Sequence, residues 1–230
     1  MKTLSLVVPV YGAPDLVRAL LDAVPALARV AASCGFELVE TLLVDDGSAR
    51  PLADELAVRG GVPAGVRVIR NGRNRGKGYS VRRGALEARG GWVLMSDVDQ
   101  SAPLTEFVRL AAHADAWMVC GSRYGRRPGM PMRRRLLSRL FHALVWLTGV
   151  RGVQDTQCGF KLFRMDVMRG VFARQRVERF AFDVELVRLV QKEHGDLVEV
   201  PVLWKGGARS SLNVLRDAPR MLYDLLFRIR

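Results

Sequence analysis

The chain has 230 residues, of which 49% are hydrophobic and 26% are charged, a composition typical of a globular protein with a buried core. It contains 36 Lys and Arg against 23 Asp and Glu, a formal net charge of +13, so we expect an anionic partner: nucleic acid, an anionic membrane surface or a phosphorylated substrate. The three cysteines lie far apart and form no Cys-x-x-Cys pair, which argues against a disulfide framework or a cysteine zinc site and predicts buried free thiols.

No run of residues approaches the ~18 consecutive apolar positions that a membrane span needs. The first apolar run, residues 4–10, contains Pro9 and leads into helix signals rather than a cleavage site, so no signal peptide is expected. The sequence therefore predicts a soluble or peripherally membrane-associated protein of the cytoplasm.

Strands and helices alternate along the first half of the chain. Short apolar runs predict buried strands, and segments with helical spacing of apolar residues lie between them. This alternation predicts right-handed βαβ crossovers and a mostly parallel sheet, which is the α/β class. The predicted strands are residues 4–10, 38–44, 66–69, 92–95 and 116–120, and the predicted helices are residues 15–32, a segment after Pro51, residues 77–88 and a segment after Pro103.

Three turn-forming or acidic segments follow predicted strands: residues 9–11, 45–48 and 97–99. The carboxyl ends of parallel strands share one edge of the sheet, so one crevice can collect all three segments, as a nucleotide site requires. Asp97 and Asp99 offer hard oxygen donors in a compact space, which suits Mg²⁺ or Mn²⁺ carrying a diphosphate. Taken alone, the pair also fits a solvated turn.

Residues 74–78 place Gly76, Lys77 and Gly78 at the start of a predicted helix. The glycines allow close approach of the backbone, the helix start offers free N–H groups and the lysine adds a positive charge, so the segment could bind phosphate. The spacing does not match a P-loop. An ordinary helix start explains the same residues.

The second half of the chain is rich in arginine and carries two apolar helical patterns. One helix is predicted at about residues 132–148 and another at about residues 211–230. Basic helices with apolar stripes are typical of membrane-interface segments, although packing of the apolar faces on the sheet is the alternative. Seven arginines cluster before and within the first helix: Arg123, Arg126, Arg127, Arg133, Arg134, Arg135 and Arg139.

Two further polar segments are candidates for a site. Residues 155–161 are dense in hydrogen-bonding groups, and Asp183 and Glu185 open a helix that runs to about residue 194. Either carboxylate could instead cap that helix. A strand at residues 197–204 is expected to join the sheet.

Taken together, these segments resemble the inverting family 2 glycosyltransferases, and most closely the polyprenyl-phosphate sugar synthases of the dolichyl-phosphate β-glucosyltransferase type. The resemblance runs in family order from about residue 4 to the carboxyl end and implies one GT-A domain over residues 1–230. The nucleotide-sugar half would be about residues 1–122 and the acceptor-facing half about residues 123–230. The stretches that carry it are residues 8–11, 44–48, 74–78, 97–99, 121–123, 155–163, 182–185 and 200–204.

The resemblance also implies roles for individual residues. Asp97 and Asp99 would bind the Mg²⁺ or Mn²⁺, and these two residues with Asp183 are the catalytic candidates. The nucleoside would be held by Pro9, Tyr11, Asp45, Asp46 and Lys77, with Asp97 facing the diphosphate; the acceptor phosphate would be held by Arg123, Gln157 and Arg209. Where mannosyl members commonly carry Gln as a further ligand, this chain has Ser101.

The implied reaction moves a sugar, glucose from UDP-glucose, to a polyprenyl or dolichyl phosphate at a membrane surface. The main alternative within the family is a mannosyltransferase that uses GDP-mannose. A basic nucleic-acid-binding protein would also explain the net charge, but it should interleave basic residues with stacking aromatics, and here the arginine cluster precedes an apolar helix. We therefore expect no nucleic-acid partner. A transferase fold that only binds is disfavoured by the presence of both Asp97 and Asp99.

Overall fold

The computed structural model describes residues 1–123, 143–205 and 214–229. Three features predicted above therefore lie outside the described residues. These are the arginine cluster after Arg123, the first part of the apolar helix predicted at residues 132–148, and Arg209.

The core of the molecule is one seven-stranded sheet with the strand order β3-β2-β1-β4-β6-β5-β7. All neighbouring strands pair in parallel except β6, which runs antiparallel to both β4 and β5. The predicted α/β class with a mostly parallel sheet is confirmed. The strands are β1 (Lys2–Val10), β2 (Phe36–Asp45), β3 (Val66–Arg70), β4 (Trp92–Ser96), β5 (Met118–Ser122), β6 (Phe160–Arg164) and β7 (Leu197–Pro201).

Helices cover both faces of this sheet. Side chains alternate along a strand, so Val7 of β1 packs with one group of helices while its neighbours Leu6 and Val8 pack with the other. The helices are α1 (Pro14–Ser33), α2 (Leu52–Ala57), α3 (Lys77–Glu87), α4 (Phe107–Ala111), α5 (Met165–Arg174), α6 (Phe182–Lys192) and α7 (Val214–Tyr223), with a 3₁₀ turn at Leu104–Glu106 and a π-helical turn at Asp224–Arg228. Helices α3, α5 and α6 share one face, and α1, α2 and α4 the other.

Two elements were not predicted from the sequence: strand β6 and helix α5. The strand ends at Arg164 and the helix begins at Met165, so no turn residue separates them and the usual boundary signal is missing. The predicted strand at residues 197–204 is also shorter than expected, because β7 ends at Pro201.

The three predicted edge segments lie side by side. Strands β2, β1 and β4 are neighbours in the sheet, and Val10 at the end of β1 is in register with Asp45 at the end of β2. The backbone N–H of Asp46 donates to the carbonyl of Val10 at 2.8 Å. Residues 9–11, 45–48 and 97–99 therefore form one crevice at the carboxyl edge of the sheet, as the alternation of elements predicted.

Candidate active site

Asp97 follows directly after β4 and pairs with Lys77. The lysine Nζ lies 2.5 Å from Oδ1 of Asp97, and both side chains remain partly open to solvent. Lys77 is the first residue of α3, and Gly76 before it has a φ of 110°, a backbone conformation that glycine adopts without strain. This turn brings the lysine and the positive end of the helix to the crevice that holds Asp97.

The carboxylate of Asp97 rests against the backbone of Gly159. A Cβ atom added at Gly159 would lie 1.8 Å from Oδ2 of Asp97 and 2.3 Å from its Cγ, so only glycine leaves room for this side chain. The Asp97 N–H donates to the carbonyl of Gly159 at 3.0 Å. The position of Asp97 is thus fixed on one side by Lys77 and on the other by the start of β6.

Asp99 is held by Ser101, two residues further along the chain. Its Oδ1 accepts the Ser101 N–H at 3.0 Å, and its Oδ2 accepts the Ser101 hydroxyl at 2.9 Å. Gln100 between them has a φ of 48°, and its N–H donates to the carbonyl of Asp97. In this tight turn Ser101 orients the carboxylate of Asp99.

Asp45 has no exposed surface, and its contacts are with its own turn and with Arg70. It accepts the backbone N–H groups of Ser48 at 2.9 Å and Leu52 at 3.1 Å, and an Arg70 guanidinium N–H at 2.6 Å. Burial favours a higher pKa, but these hydrogen bonds and the Arg70 charge together hold the pKa of Asp45 below its ordinary value. The carboxylate therefore stabilises the 45–52 turn, and its contact with a nucleoside stays a prediction.

Asp46 organises the loop that leads to Lys77. Its Oδ1 accepts the side-chain amide of Asn71 and the N–H of Arg75, both at 2.9 Å, and its Oδ2 accepts the N–H of Gly76 at 2.7 Å. Tyr11, by contrast, is largely exposed on the neighbouring segment, and Pro9 is half-buried. Of these three predicted nucleoside contacts, the structure leaves Tyr11 the most accessible.

The start of α3 is packed against residues 175–182. A Cβ atom at Gly78 would lie 2.6 Å from Cβ of Phe182, and one at Gly76 would lie 2.7 Å from the carbonyl of Glu178. Glu185 of α6 accepts the N–H groups of residues 176 and 177. Glu185 thus supports the segment behind the Lys77 loop. Its predicted role as a cap of its own helix is wrong, since α6 has Ala181 at its N-cap position and no side-chain cap.

Asp183 forms a buried ion pair with Lys161. The lysine Nζ lies 2.6 Å from Oδ1 of Asp183, and the two side chains are 0% and 3% exposed. Burial raises the pKa of Asp183; the charges of Lys161 and Lys77 oppose this rise, and the charge of Asp97 adds to it. Burial is the largest single influence on Lys161 and lowers its pKa, but the charge and hydrogen bond of Asp183, together with the nearby thiols, raise that pKa above its ordinary value. The pair therefore lies within electrostatic reach of Lys77 and Asp97, and Asp183 does not cap α6.

Arg123, at the end of β5, is bound by Asp155. Its backbone N–H, Nε and Nη2 donate to the Asp155 carboxylate at 2.9, 2.7 and 2.7 Å, and its guanidinium lies 5.2 Å from the ring of Trp204. The Nε2 of Gln157 is buried and has no hydrogen-bond partner among the described residues. Contact of either side chain with an acceptor phosphate stays a prediction.

Four residues at this site were missed from the sequence: Asn71, Gly159, Lys161 and, as the support of Asp99, Ser101. A signal was present for two of them. Gly159 interrupts a polar segment just before an apolar run, which indicates close approach of another group, and Lys161 is a charge inside that apolar run. The predicted burial of free thiols is confirmed for Cys120 and Cys158, whereas Cys34 is half-buried. Burial raises the pKa of each buried thiol to about 12.

The mostly parallel sheet, with carboxylates and a lysine at its carboxyl edge, places this protein in the α/β class with the GT-A fold. Glucosyl-3-phosphoglycerate synthase from Mycobacterium tuberculosis, solved with Mg²⁺ and uridine diphosphate, shares this fold with a TM-score of 0.72, 16% identity, and coverage of 99% of this chain and 79% of that one. Mannosyl-3-phosphoglycerate synthase from Rubrobacter xylanophilus gives a TM-score of 0.68 and 22% identity, covering 99% and 72%.

Residues 5–172 match glycosyl transferase family 2, and the chain belongs to this family. Dolichyl-phosphate beta-glucosyltransferase of Mus musculus is 35% identical over 243 residues, 98% of this chain and 74% of that protein. The enzyme of the same name from Dictyostelium discoideum is 32% identical over 244 residues, covering 99% and 73%. A third, from Trichomonas vaginalis, is 32% identical over 222 residues, covering 91% and 66%. The chain thus spans about two thirds to three quarters of these relatives.

Proposed function

We propose that this chain transfers glucose from UDP-glucose to a polyprenyl phosphate of the dolichyl type, with inversion at the anomeric carbon. The names of the relatives support glucose as the sugar and dolichyl phosphate as the acceptor, and a neighbour of the same fold solved with Mn²⁺ and UDP-glucose supports UDP as the nucleotide. The observation that carries the proposal is the cluster at the carboxyl ends of β1, β2 and β4, where Asp97, Asp99 and Lys77 meet at one crevice.

The donor set of this crevice fits a divalent cation. Asp97 and Asp99 supply hard carboxylate oxygens, the ligands that Mg²⁺ and Mn²⁺ prefer. Within the described ranges there is no cluster of three or more His, Cys, Asp and Glu side chains that could hold a metal, so Asp97 and Asp99 would share the ion with oxygens of the diphosphate. Such an ion, when bound, supplies positive charge at the leaving diphosphate.

Lys77 supplies positive charge to the same place. Its ammonium pairs with Asp97, and because Lys77 is the first residue of α3, the positive end of the helix dipole lies at the same place. A diphosphate entering the crevice would meet both groups, which suits them to neutralise the charge that develops as UDP departs. Asp46 contributes by fixing the backbone of the loop that presents Lys77.

The acceptor needs little activation. A phosphate monoester with a second pKa near ~6 is already ionised at neutral pH, so its oxygen can attack the anomeric carbon without a strong general base.

We assign the binding of the acceptor phosphate to Arg123, Gln157 and Arg209. The guanidinium of Arg123 donates one hydrogen bond from Nε and one from Nη2 to the carboxylate of Asp155. A guanidinium has five N–H donors in all, so others remain for a phosphate. Asp183 is assigned to a sugar hydroxyl.

A membrane surface is the second part of the proposal, because the acceptor is a lipid. Helix α7 and the turn after it carry their apolar face outward: Leu222, Tyr223, Leu226 and Phe227 are exposed, whereas Asp217 and Asp224 are buried. Several large apolar side chains of this segment are therefore exposed on the side that a helix packed on a core usually keeps polar. Leu225 and Ile229 belong to the apolar helix predicted at about residues 211–230, and both pack in the core. The alternative of core packing is therefore correct for these two residues.

The outward residues join a second exposed apolar segment. Leu147 and Leu226 line the same surface groove, and Trp146 beside Leu147 is 58% exposed. We call Trp146, Leu147, Leu222, Tyr223, Leu226 and Phe227 the apolar patch. Its basic neighbour Arg151 stacks over the ring of Trp146 at 4.0 Å. Apolar residues next to a cation suit the headgroup region of an anionic bilayer. None of the described helices combines the length and apolar character needed to span a membrane.

The reaction is tested by a donor screen with labelled nucleotide sugars and a short polyprenyl phosphate. We expect label from UDP-glucose in the lipid product, with kcat/KM at least about tenfold above that of GDP-mannose, which corresponds to ~1.4 kcal/mol of transition-state discrimination. A preference for GDP-mannose would replace the donor assignment by the mannosyl alternative. Failure of every donor to label the lipid would refute the proposed reaction.

The docking surface is tested by flotation with anionic liposomes. Tyr223 and Phe227 are each more than half exposed, with ring centroids 5.2 Å apart, so replacing both with Ser should weaken binding without unfolding the protein. The matched control replaces Val58 and Val108, which are exposed on the opposite group of helices, with Ser. Equal flotation of the two double variants would show that the apolar patch does not dock the enzyme.

A further inference from the structure

Lys161 is a charged residue between the apolar residues Phe160 and Leu162 of strand β6. It lies in β6, in register with Met95 on one side and Cys120 on the other, and its side chain is 0% exposed. A buried ammonium is costly unless it is paired and hydrogen-bonded. An apolar residue at this position would avoid that cost, so the contacts of Lys161 call for an explanation.

The ammonium joins two separate elements of the site. Nζ donates to Oδ1 of Asp183, in the first turn of α6, and also to the carbonyl of Cys158. Cys158 immediately precedes Gly159, the residue against which the carboxylate of Asp97 rests. One buried cation thus connects the carboxylate of Asp183 to the backbone that supports Asp97.

This backbone has little freedom to move without moving Asp97. The Gly159 carbonyl accepts the Asp97 N–H at 3.0 Å, and a Cβ at Gly159 would overlap the Asp97 carboxylate, as described above. A shift of residues 158–159 would therefore displace Asp97 or open a gap behind it. Lys161 holds the carbonyl next to this contact.

We propose that Lys161 is a positioning residue of the donor site, which sets the place of Asp97 through the Cys158–Gly159 backbone and the orientation of Asp183 through its ion pair. It touches neither donor nor acceptor. The inference rests on the proposed function in one respect: Asp97 is taken to bind the metal and diphosphate of the donor. The alternative is that the pair only stabilises the fold.

The positioning role and a purely structural role are separated by comparing Asp183→Asn with the double variant that also carries Lys161→Met. Asp183→Asn removes one charge and keeps the shape of the side chain. Asp183→Asn alone leaves the buried ammonium of Lys161 without its carboxylate, and adding Lys161→Met removes that remaining charge. The double variant is therefore not expected to be less stable than the single one because of an unpaired charge, so a lower affinity in the double variant reports the lost ammonium. We expect the added Lys161→Met to lower the affinity for Mn²⁺ in the presence of UDP by about 10- to 100-fold, the usual effect of losing a group that orients a metal ligand. KM for UDP-glucose should rise as well.

A matched control addresses stability. Glu40 is a buried carboxylate that pairs with Arg67 at 2.7 Å on strands β2 and β3, away from Asp97. The double variant Glu40→Gln with Arg67→Met should alter the melting temperature but leave the Mn²⁺–UDP affinity within about threefold of the wild type. Circular dichroism and melting temperature are recorded for every variant. If Lys161→Met with Asp183→Asn does not fold, Lys161→Gln with Asp183→Asn takes its place in the comparison.

Equal Mn²⁺–UDP affinity in folded Asp183→Asn and in the folded double variant would overturn the positioning role. The binding assay contains no lipid acceptor, so its outcome is independent of the reaction. Wild-type protein that binds Mn²⁺ and UDP but transfers no sugar to polyprenyl phosphate would refute the proposed function and leave the positioning role standing.

Discussion

Gly159→Ala is the most direct test of how the candidate site is built. A Cβ at this position would lie 1.8 Å from Oδ2 of Asp97, and ordinary contact begins near 3.4 Å, so the carboxylate oxygen must move by about 1.6 Å. Misplacing a reacting or binding group by ~1 Å can cost ~100-fold in rate, which equals about 2.7 kcal/mol. Since the Asp97 side chain is 28% exposed, it can swing outward, and we expect the variant to fold with a loss of about 1–3 kcal/mol in its free energy of unfolding.

The assay measures kcat/KM with UDP-glucose and Mn²⁺ affinity in the presence of UDP, and both should fall by about 100-fold or more. Gly91→Ala is the matched control at the start of the neighbouring strand β4, because a Cβ there would meet its nearest atom, Oγ1 of Thr3, at 3.6 Å. It should retain wild-type activity. If Gly159→Ala also keeps wild-type activity and Mn²⁺ affinity, Asp97 is not positioned by this contact and the reasoning fails.

Two further predictions concern charge. Asp99→Asn should lower turnover by about 10²- to 10³-fold, or ~3–4 kcal/mol of barrier, and chelation should abolish wild-type turnover until Mg²⁺ or Mn²⁺ returns; full turnover of metal-free protein would contradict this. The pKa values of Asp45 and Asp155 are lower in the folded protein than their ordinary values. The contribution of these two carboxylates to the free energy of unfolding is therefore complete above about pH 5 and is lost as the pH falls through the lowered pKa values. The melting temperature of Asp155→Asn should therefore fall less steeply than that of the wild type between about pH 5 and 3. An equal fall in both proteins would contradict the lowered pKa of Asp155.

The carboxyl edge of the sheet was predictable because each of its parts is local. Apolar runs ending in polar residues mark strands β1, β2 and β4, and the rule that parallel strands share one edge brings residues 9–11, 45–48 and 97–99 together without knowledge of any side-chain contact. The order β2-β1-β4 in the structure agrees with this argument.

The contacts of β6 were not predictable in the same way. Lys161 finds its partner Asp183 across 22 residues, and no periodicity in either segment encodes that pairing. The direction of β6 is equally hidden, because a strand of five residues has the same sequence pattern whether it pairs in parallel or antiparallel. The contacts of β6 are determined by tertiary packing, and a local sequence pattern cannot predict them.

Spacing in the sequence also does not show what each aspartate of a motif does. Asp45 and Asp46 have their oxygens on backbone N–H groups of their own and neighbouring loops, so they fix the shape of the crevice. Asp97 has one oxygen on the ammonium of Lys77, which is itself partly exposed. Because the two charges neutralise each other, neither is an unpaired charge before the donor arrives. Under the proposed function, a donor that carries a cation on its diphosphate would replace the Asp97–Lys77 pair by a contact of Asp97 with the cation and of Lys77 with the diphosphate. The half-buried aspartate, rather than the fully buried ones, can make this exchange because its present partner is also partly exposed.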